Sequence, residues 1–202
     1  MNYFITAIGT DSGKSLFSAI ICEALEADYW KPIQAGYPRD TDFVGGLISN
    51  LKTDLIPEKY VLDTPASPHY AAEIDKVKLK VENFDIPITD NENLIIEGAG
   101  GVLVPINDKE FVIDFPQKWG IPVILVSNLY LGSINHTLLT INELKRRGLA
   151  VKGIVFNGPS NPASEEIILK QSGYPCLLRI AEEKEINHAV VRKYAAELRN
   201  NL

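Results

Sequence analysis

Ala7-Ile8-Gly9-Thr10-Asp11-Ser12-Gly13-Lys14-Ser15 is the stretch from which the rest of the chain is read. An apolar run, Tyr3–Ile8, enters it, and a mostly apolar segment, Lys14–Ala27, leaves it. A turn between a buried strand and a buried helix, rich in glycine and ending Gly-Lys-Ser, is what a phosphate loop requires. Its backbone N–H groups wrap an anion, the helix N-terminus adds positive potential, the lysine meets the β- and γ-phosphates, and the hydroxyl faces Mg²⁺. Lys14 and Ser15 are the candidates for the last two roles. The spacing departs from the strict G-x-x-x-x-G-K-[ST] pattern, because Ile8 stands where the first glycine would be. An ordinary strand-to-helix turn with a solvated Lys14 is the plain alternative.

Reading outward, further short apolar runs occur at Leu94–Ile96, Pro122–Val126 and Gly153–Phe156, with weaker ones at Tyr29–Ile33 and Cys176–Ile180. Continuous Val/Ile/Leu runs mark strands buried on both faces. Helical patterns lie between them. Lys14–Ala27 is apolar almost all round. Ile134–Arg147 follows Ser133 as a candidate N-cap and stops at Gly148, with basic residues in its last turn. Glu165–Ser172 precedes Gly173, and Ile186, Val190, Tyr194 and Leu198 step by four toward the end. Strands alternating with helices predict an α/β fold: one domain over residues 1–202, three-layer α/β/α, with a mostly parallel central sheet like that of the phosphate-loop NTPases. Ligands of such sheets sit at the carboxyl ends of the strands.

Composition narrows the class. The 202 residues are 46% hydrophobic and 23% charged, ordinary globular values that exclude a disordered chain. A net charge of -6 disfavours non-specific nucleic-acid binding, which needs clustered positive charge. Cys22 and Cys176 lack metal-ligand spacing and fit a reducing compartment. No basic leader opens the chain and no apolar run has membrane-spanning length, so a cytoplasmic protein is expected.

The turns after the later strands supply more candidates. Lys31-Pro32-Ile33-Gln34-Ala35-Gly36 places a second lysine at a strand end, where it is either solvated or a second cation in an anion site. In Asp40-Thr41-Asp42, Asp42 is read either as the N-cap of a helix Phe43–Leu51 or as a Mg²⁺ ligand. Leu94–Ile96 ends in Glu97-Gly98-Ala99-Gly100-Gly101, a carboxylate followed by three glycines in four residues, suited to Mg²⁺ and to close backbone approach. Leu131-Gly132-Ser133-Ile134-Asn135-His136 opens a helix whose N-terminus can hold a carboxylate or phosphate. His136 is read as a packing residue or a general base. Asn157-Gly158 either reads a nucleotide base or makes an Asx turn.

Lys-Pro-Ile-Gln, Glu-Gly-Ala-Gly-Gly and Leu-Gly-x-Ile-Asn-His, in order with Gly9–Ser15, Ala66-Ser67-Pro68-His69, Val104-Pro105 and Phe156-Asn157, resemble the dethiobiotin synthetases across roughly residues 3 to 160. The resemblance implies an ATP-dependent cyclo-ligase that closes the ureido ring of 7,8-diaminopelargonate with CO₂, through a carbamate and its phosphorylated form. It implies ATP and Mg²⁺, with Lys14 at the transferring phosphoryl group and Lys31 at the carbamate. Thr10, Asp11, Ser12, Gly13, Lys14, Ser15 and Leu16 would line the nucleotide, and Asn157 would meet adenine. Ser15, Asp42 and Glu97 would surround Mg²⁺. Thr10, Lys31, Ala35, Gly98, Gly100, Leu131, Gly132, Ser133 and Asn135 would face the substrate, the last four across a two-fold homodimer. Four departures from the family pattern stand out: Ala7 at the loop start, Ala35 where a hydroxyl is usual, Arg179-Ile180-Ala181-Glu182 in place of a Gly-x-x-Pro turn, and a short stretch at 70–93.

Three competing readings keep the fold and change the function. A ParA/MinD-like ATPase switch would carry a lysine where Gly9 stands. A related amide-forming synthetase would be joined to a glutaminase domain, for which this chain has no length. A GTPase would show Asn-Lys-x-Asp, which is missing.

Overall fold

The computed structural model describes residues 1–202. Seven strands form one sheet in the order β4-β2-β6-β1-β7-β8-β9. They are β1 (Asn2–Ala7), β2 (Asp28–Trp30), β4 (Leu55–Ile56), β6 (Leu94–Gly101), β7 (Val123–Asn128), β8 (Val151–Asn157) and β9 (Cys176–Ile180). Every pairing is parallel. β3 (Ile33–Ala35) and β5 (Tyr60–Leu62) form a separate parallel pair.

The pleat sorts side chains between two cores. Tyr3, Ile5 and Ala7 of β1 face α1 (Lys14–Leu25) and α7 (His188–Leu198), while Phe4 faces the other way. That second face is covered by α3 (Pro68–Ile74), α4 (Asp114–Trp119), α5 (Ser133–Arg146) and α6 (Pro162–Ser172). Phe17, Ile20 and Ile21 of α1 are fully buried, and each such burial contributes about 1.5–3 kcal/mol. No helix is long and apolar enough to cross a membrane.

The alternation of strands and helices is as expected, and four local readings need correction. The predicted strand Tyr29–Ile33 is two strands, β2 and β3, broken at Lys31-Pro32. Proline has no N–H for the ladder and restricts the residue before it. Ile33–Ala35 therefore leaves the main sheet to pair with β5, and Lys31 is left at the carboxyl end of β2. The glycine-rich segment after Glu97 continues β6 to Gly101 rather than turning away. A Cβ at Gly101 would press within 3.3 Å of the Ala7 carbonyl oxygen, so the lack of a side chain lets β6 lie against β1. Ser133 is the first residue of α5, not its N-cap; that place belongs to Gly132, at φ 108°. The short helix α2 runs Asp40–Gly45 rather than Phe43–Leu51, so Asp42 lies inside its first turn and does not cap it.

Candidate active site

β1 ends at Ala7, and residues 8–13 turn into α1. The turn needs two left-handed backbones, Asp11 at φ 55° and Gly13 at φ 92°. It is tied internally: Ser12 Oγ donates to the Gly9 carbonyl at 3.1 Å, and Lys14 Nζ donates to the same oxygen at 3.1 Å. From behind, Asn157 Nδ2 donates to the Ser12 carbonyl at 3.0 Å. A Cβ at Gly13 would collide with that amide, so glycine is needed for space as well as for φ.

The loop opens on a cleft of about 770 Å³ at the carboxyl ends of β1, β2 and β6. Thr10, Asp11, Ser12, Gly13, Lys14, Ser15 and Leu16 line it, together with Lys31, Ala35, Glu97 and Gly100. The structure therefore brings together most of the residues singled out from the sequence. It also adds Gln34, Asp40, Phe43, Pro65 and Ala66, which the sequence reading did not place in a site.

Glu97 is the centre of the charge arrangement, with its side chain fully buried. A buried carboxylate is costly unless it is paired and hydrogen-bonded. Here both oxygens are served. Oε1 accepts from Ser15 Oγ at 2.9 Å and from Lys31 Nζ at 3.1 Å. Oε2 accepts from Ser18 Oγ at 2.7 Å and from Tyr29 Oη at 3.0 Å. Lys31 also pairs with Asp40, whose Oδ1 lies 3.0 Å from Ser15 Oγ. Burial alone would push Lys31 below its ordinary value, but the carboxylates of Glu97 and Asp40 outweigh it and hold the ammonium above. Lys14, equally buried and without a contacting carboxylate, is shifted the other way by desolvation. Burial, reinforced by the Glu97 charge, pushes the Tyr29 phenol well up, so it stays a donor.

Asp40, not Asp42, is the second acidic group of the cleft. Asp42 points to solvent and is held by Arg39, Nε to Oδ2 at 3.0 Å and Nη2 to Oδ1 at 2.7 Å. The two aspartates flank Thr41 on one short helix, and its phase turns only the first toward Ser15. Gln34 fixes that phase: its Oε1 accepts from the Asp40 N–H at 3.2 Å, while its Nε2 donates to the Gly36 carbonyl at 2.9 Å.

Other expected residues lie outside the cleft. Gly98 packs against Phe4 and Val112. Leu131, Gly132, Ser133 and Asn135 sit at the start of α5, where Leu131 is fully exposed and the buried Ser133 Oγ has no partner within the chain. His136 bonds the Tyr130 hydroxyl at 2.6 Å, also away from the cleft.

Two carboxylates and a hydroxyl converge on one point, where the Lys31 ammonium bonds both carboxylates; their oxygens suit a hard cation. Mg²⁺ is usually held by one or two carboxylates plus phosphate oxygens, rather than by a cage of protein ligands. The donor set fits that ion.

Known proteins match this chain over nearly its whole length. Residues 1–190 match a family model described as an AAA domain. An ATP-dependent dethiobiotin synthetase of Cytophaga hutchinsonii is 54% identical over 200 residues, covering 98% of this chain and 97% of that protein. One from Christiangramia forsetii is 48% identical, covering 100% of this chain and 97% of that protein. Among solved structures, the septum site-determining protein MinD of Pyrococcus horikoshii, complexed with Mg-ADP, superposes with a TM-score of 0.59 at 14% identity, covering 100% of this chain and 93% of that one. That likeness concerns the fold alone.

Proposed function

This chain belongs to the dethiobiotin synthetase family and is an ATP-dependent ligase of that kind; from that premise we propose which of its residues carry the reaction. The reaction joins 7,8-diaminopelargonate and CO₂ at the expense of ATP. One amine adds to CO₂, forming an N–C bond and a carbamate. The carbamate oxygen attacks the γ-phosphorus and the bond to the β-phosphate oxygen breaks, releasing ADP. The second amine then attacks the carbamate carbon, the C–O bond to phosphate breaks, and the ureido ring closes.

No protein nucleophile is needed. What the protein must do is bring two anions, carbamate and γ-phosphate, into contact. Lys14 stabilises the transferring phosphoryl group, as the lysine of a phosphate loop does. Lys31 reaches the same cleft from the end of β2 and meets the carbamate. Thr10, Asp11, Ser12, Gly13 and Leu16 surround the phosphates, and Asn157 approaches the base. Ser15, Asp40 and Glu97 would hold Mg²⁺, which would neutralise phosphate charge when bound. Ala35 and Gly100 leave room for the diamine.

The start of α5 receives the substrate carboxylate from a second subunit. Its N-terminal N–H groups suit an anion. The exposed Tyr130, Leu131, Ile134 and Leu139 around it suit a two-fold contact between copies of this chain.

The observation that carries the reading is the convergence of Lys14, Lys31, Ser15, Asp40 and Glu97 on one cleft. The test is phosphate release from MgATP, with and without diamine and bicarbonate, and mass spectrometry of the product. Release that needs both, with dethiobiotin formed, is the expected result. Release without the diamine would point instead to an ATPase switch.

A further inference from the structure

The four donors to Glu97 divide by oxygen and by location. Ser15 and Lys31, which reach Oε1, line the cleft. Ser18 and Tyr29, which reach Oε2, are both fully buried and stand behind it. Ser18 is one helical turn past Ser15 on α1, so both hydroxyls face the sheet. Tyr29 lies in β2 and joins the core on the α1 side, two residues before Lys31. No assigned role in binding or chemistry reaches Ser18 or Tyr29.

We propose that Tyr29 and Ser18 are positioning residues for the metal: they engage Oε2 of Glu97 and leave Oε1 as the only oxygen presented to the cleft. This rests on the reading of Glu97 as a metal-facing group. A carboxylate with one oxygen held by two hydroxyls cannot turn both toward an ion. It is therefore set for single-oxygen coordination, the mode that suits the strict octahedral geometry of Mg²⁺. Ca²⁺ more readily accepts both oxygens of one carboxylate. Partners that orient a metal ligand commonly change metal affinity 10–100-fold when removed.

The test measures ATP affinity by calorimetry with no divalent ion, with Mg²⁺ and with Ca²⁺, for the wild-type protein and for Tyr29→Phe, Ser18→Ala and Glu97→Gln. In the wild type, Mg²⁺ should strengthen ATP binding, and Glu97→Gln should remove most of that gain. In Tyr29→Phe the gain from Mg²⁺ should fall about tenfold, with metal-free ATP affinity within about twofold. The ratio of Mg²⁺ to Ca²⁺ effects should shift toward Ca²⁺. Ser18→Ala removes one oxygen from the middle of α1 and carries the same expectation should Tyr29→Phe fail to fold. A role in packing alone would lower thermal stability and leave the Mg²⁺ to Ca²⁺ ratio unmoved, and that outcome overturns the proposal. If instead wild-type ATP binding ignores Mg²⁺, or Glu97→Gln keeps the full gain, the metal assignment itself falls.

Discussion

Two helices of this protein begin in the same way and end up in opposite surroundings. α1 starts after Gly13 at φ 92° and α5 after Gly132 at φ 108°, and neither has a side-chain cap. Both therefore present bare N–H groups, which suits an anion. At α1 the chain supplies everything around those groups: a buried lysine, a second lysine in the same cleft and two carboxylates balanced against them. At α5 it supplies an exposed leucine, a tyrosine–histidine pair and a buried serine hydroxyl without a partner. The same local geometry is finished within the chain in one case and left open in the other.

The largest expected effect tests whether the α1 end performs the chemistry. Lys14→Ala should lower kcat by about a thousandfold, since its charge acts mainly in the transition state. Steady-state kinetics showing near-normal kcat would put the two helix starts on an equal footing. Next is the identity of the acidic partner. Asp40→Asn should lower kcat/KM by about a hundredfold, the scale of losing one charge-assisted contact in a dry site. Asp42→Asn should stay within about twofold, because it removes only an exposed pair with Arg39. The reverse ranking would restore Asp42 to the site.

A charge on the α5 side gives a smaller effect of another kind. Leu131→Asp should raise the monomer fraction in sedimentation and weaken diamine binding, with ATP affinity unchanged. A variant that stays dimeric with normal kinetics would remove that helix start from the substrate site.

Glycine replacement sharpens the comparison energetically. Gly132→Ala meets nothing closer than Tyr130 at 3.9 Å and should cost only the left-handed strain, about 1–2 kcal/mol by denaturant titration. Gly13→Ala adds a collision with Asn157 and should cost more, with part recovered in the Gly13→Ala, Asn157→Ala double variant.

The smallest effect sits at the far end of α5. Glu143 is held down to about 2, chiefly by its hydrogen bond from Arg146. Its folded value lies below the ordinary one, so its contribution is present above about pH 4.5. It is lost as pH falls through that window toward 2. Arg146→Ala should flatten the acid limb of a stability titration slightly, while leaving both helix starts untouched.

The legibility of these features differs for reasons that can be named. The strand–loop–helix at Tyr3–Ala27 was readable because both neighbours are apolar and the loop residues have few other uses. Glu97 and Lys31 were readable as charged residues directly after apolar runs, where strand ends meet the ligand side of the sheet. Asp40 was not, because Asp40 and Asp42 differ only in helix phase, and that phase is set by Gln34 from another segment. Ser18 and Tyr29 look like ordinary members of an apolar helix and strand. Their hydroxyls gain meaning only once β6 carries Glu97 between them. The stretch 52–93 has few periodic apolar residues, and its elements β4, β5 and α3 take shape by pairing with or packing on parts already placed.

Sequence alone therefore determined the class of fold, the phosphate loop, the pair of lysines and the family, because these depend on local pattern and residue type in order. Tertiary structure decided which aspartate lines the cleft beside Ser15, which hydroxyls hold Glu97 and which helix start is left open. Those outcomes depend on directions in space between segments far apart in the chain, and such directions are fixed only when the sheet brings them together.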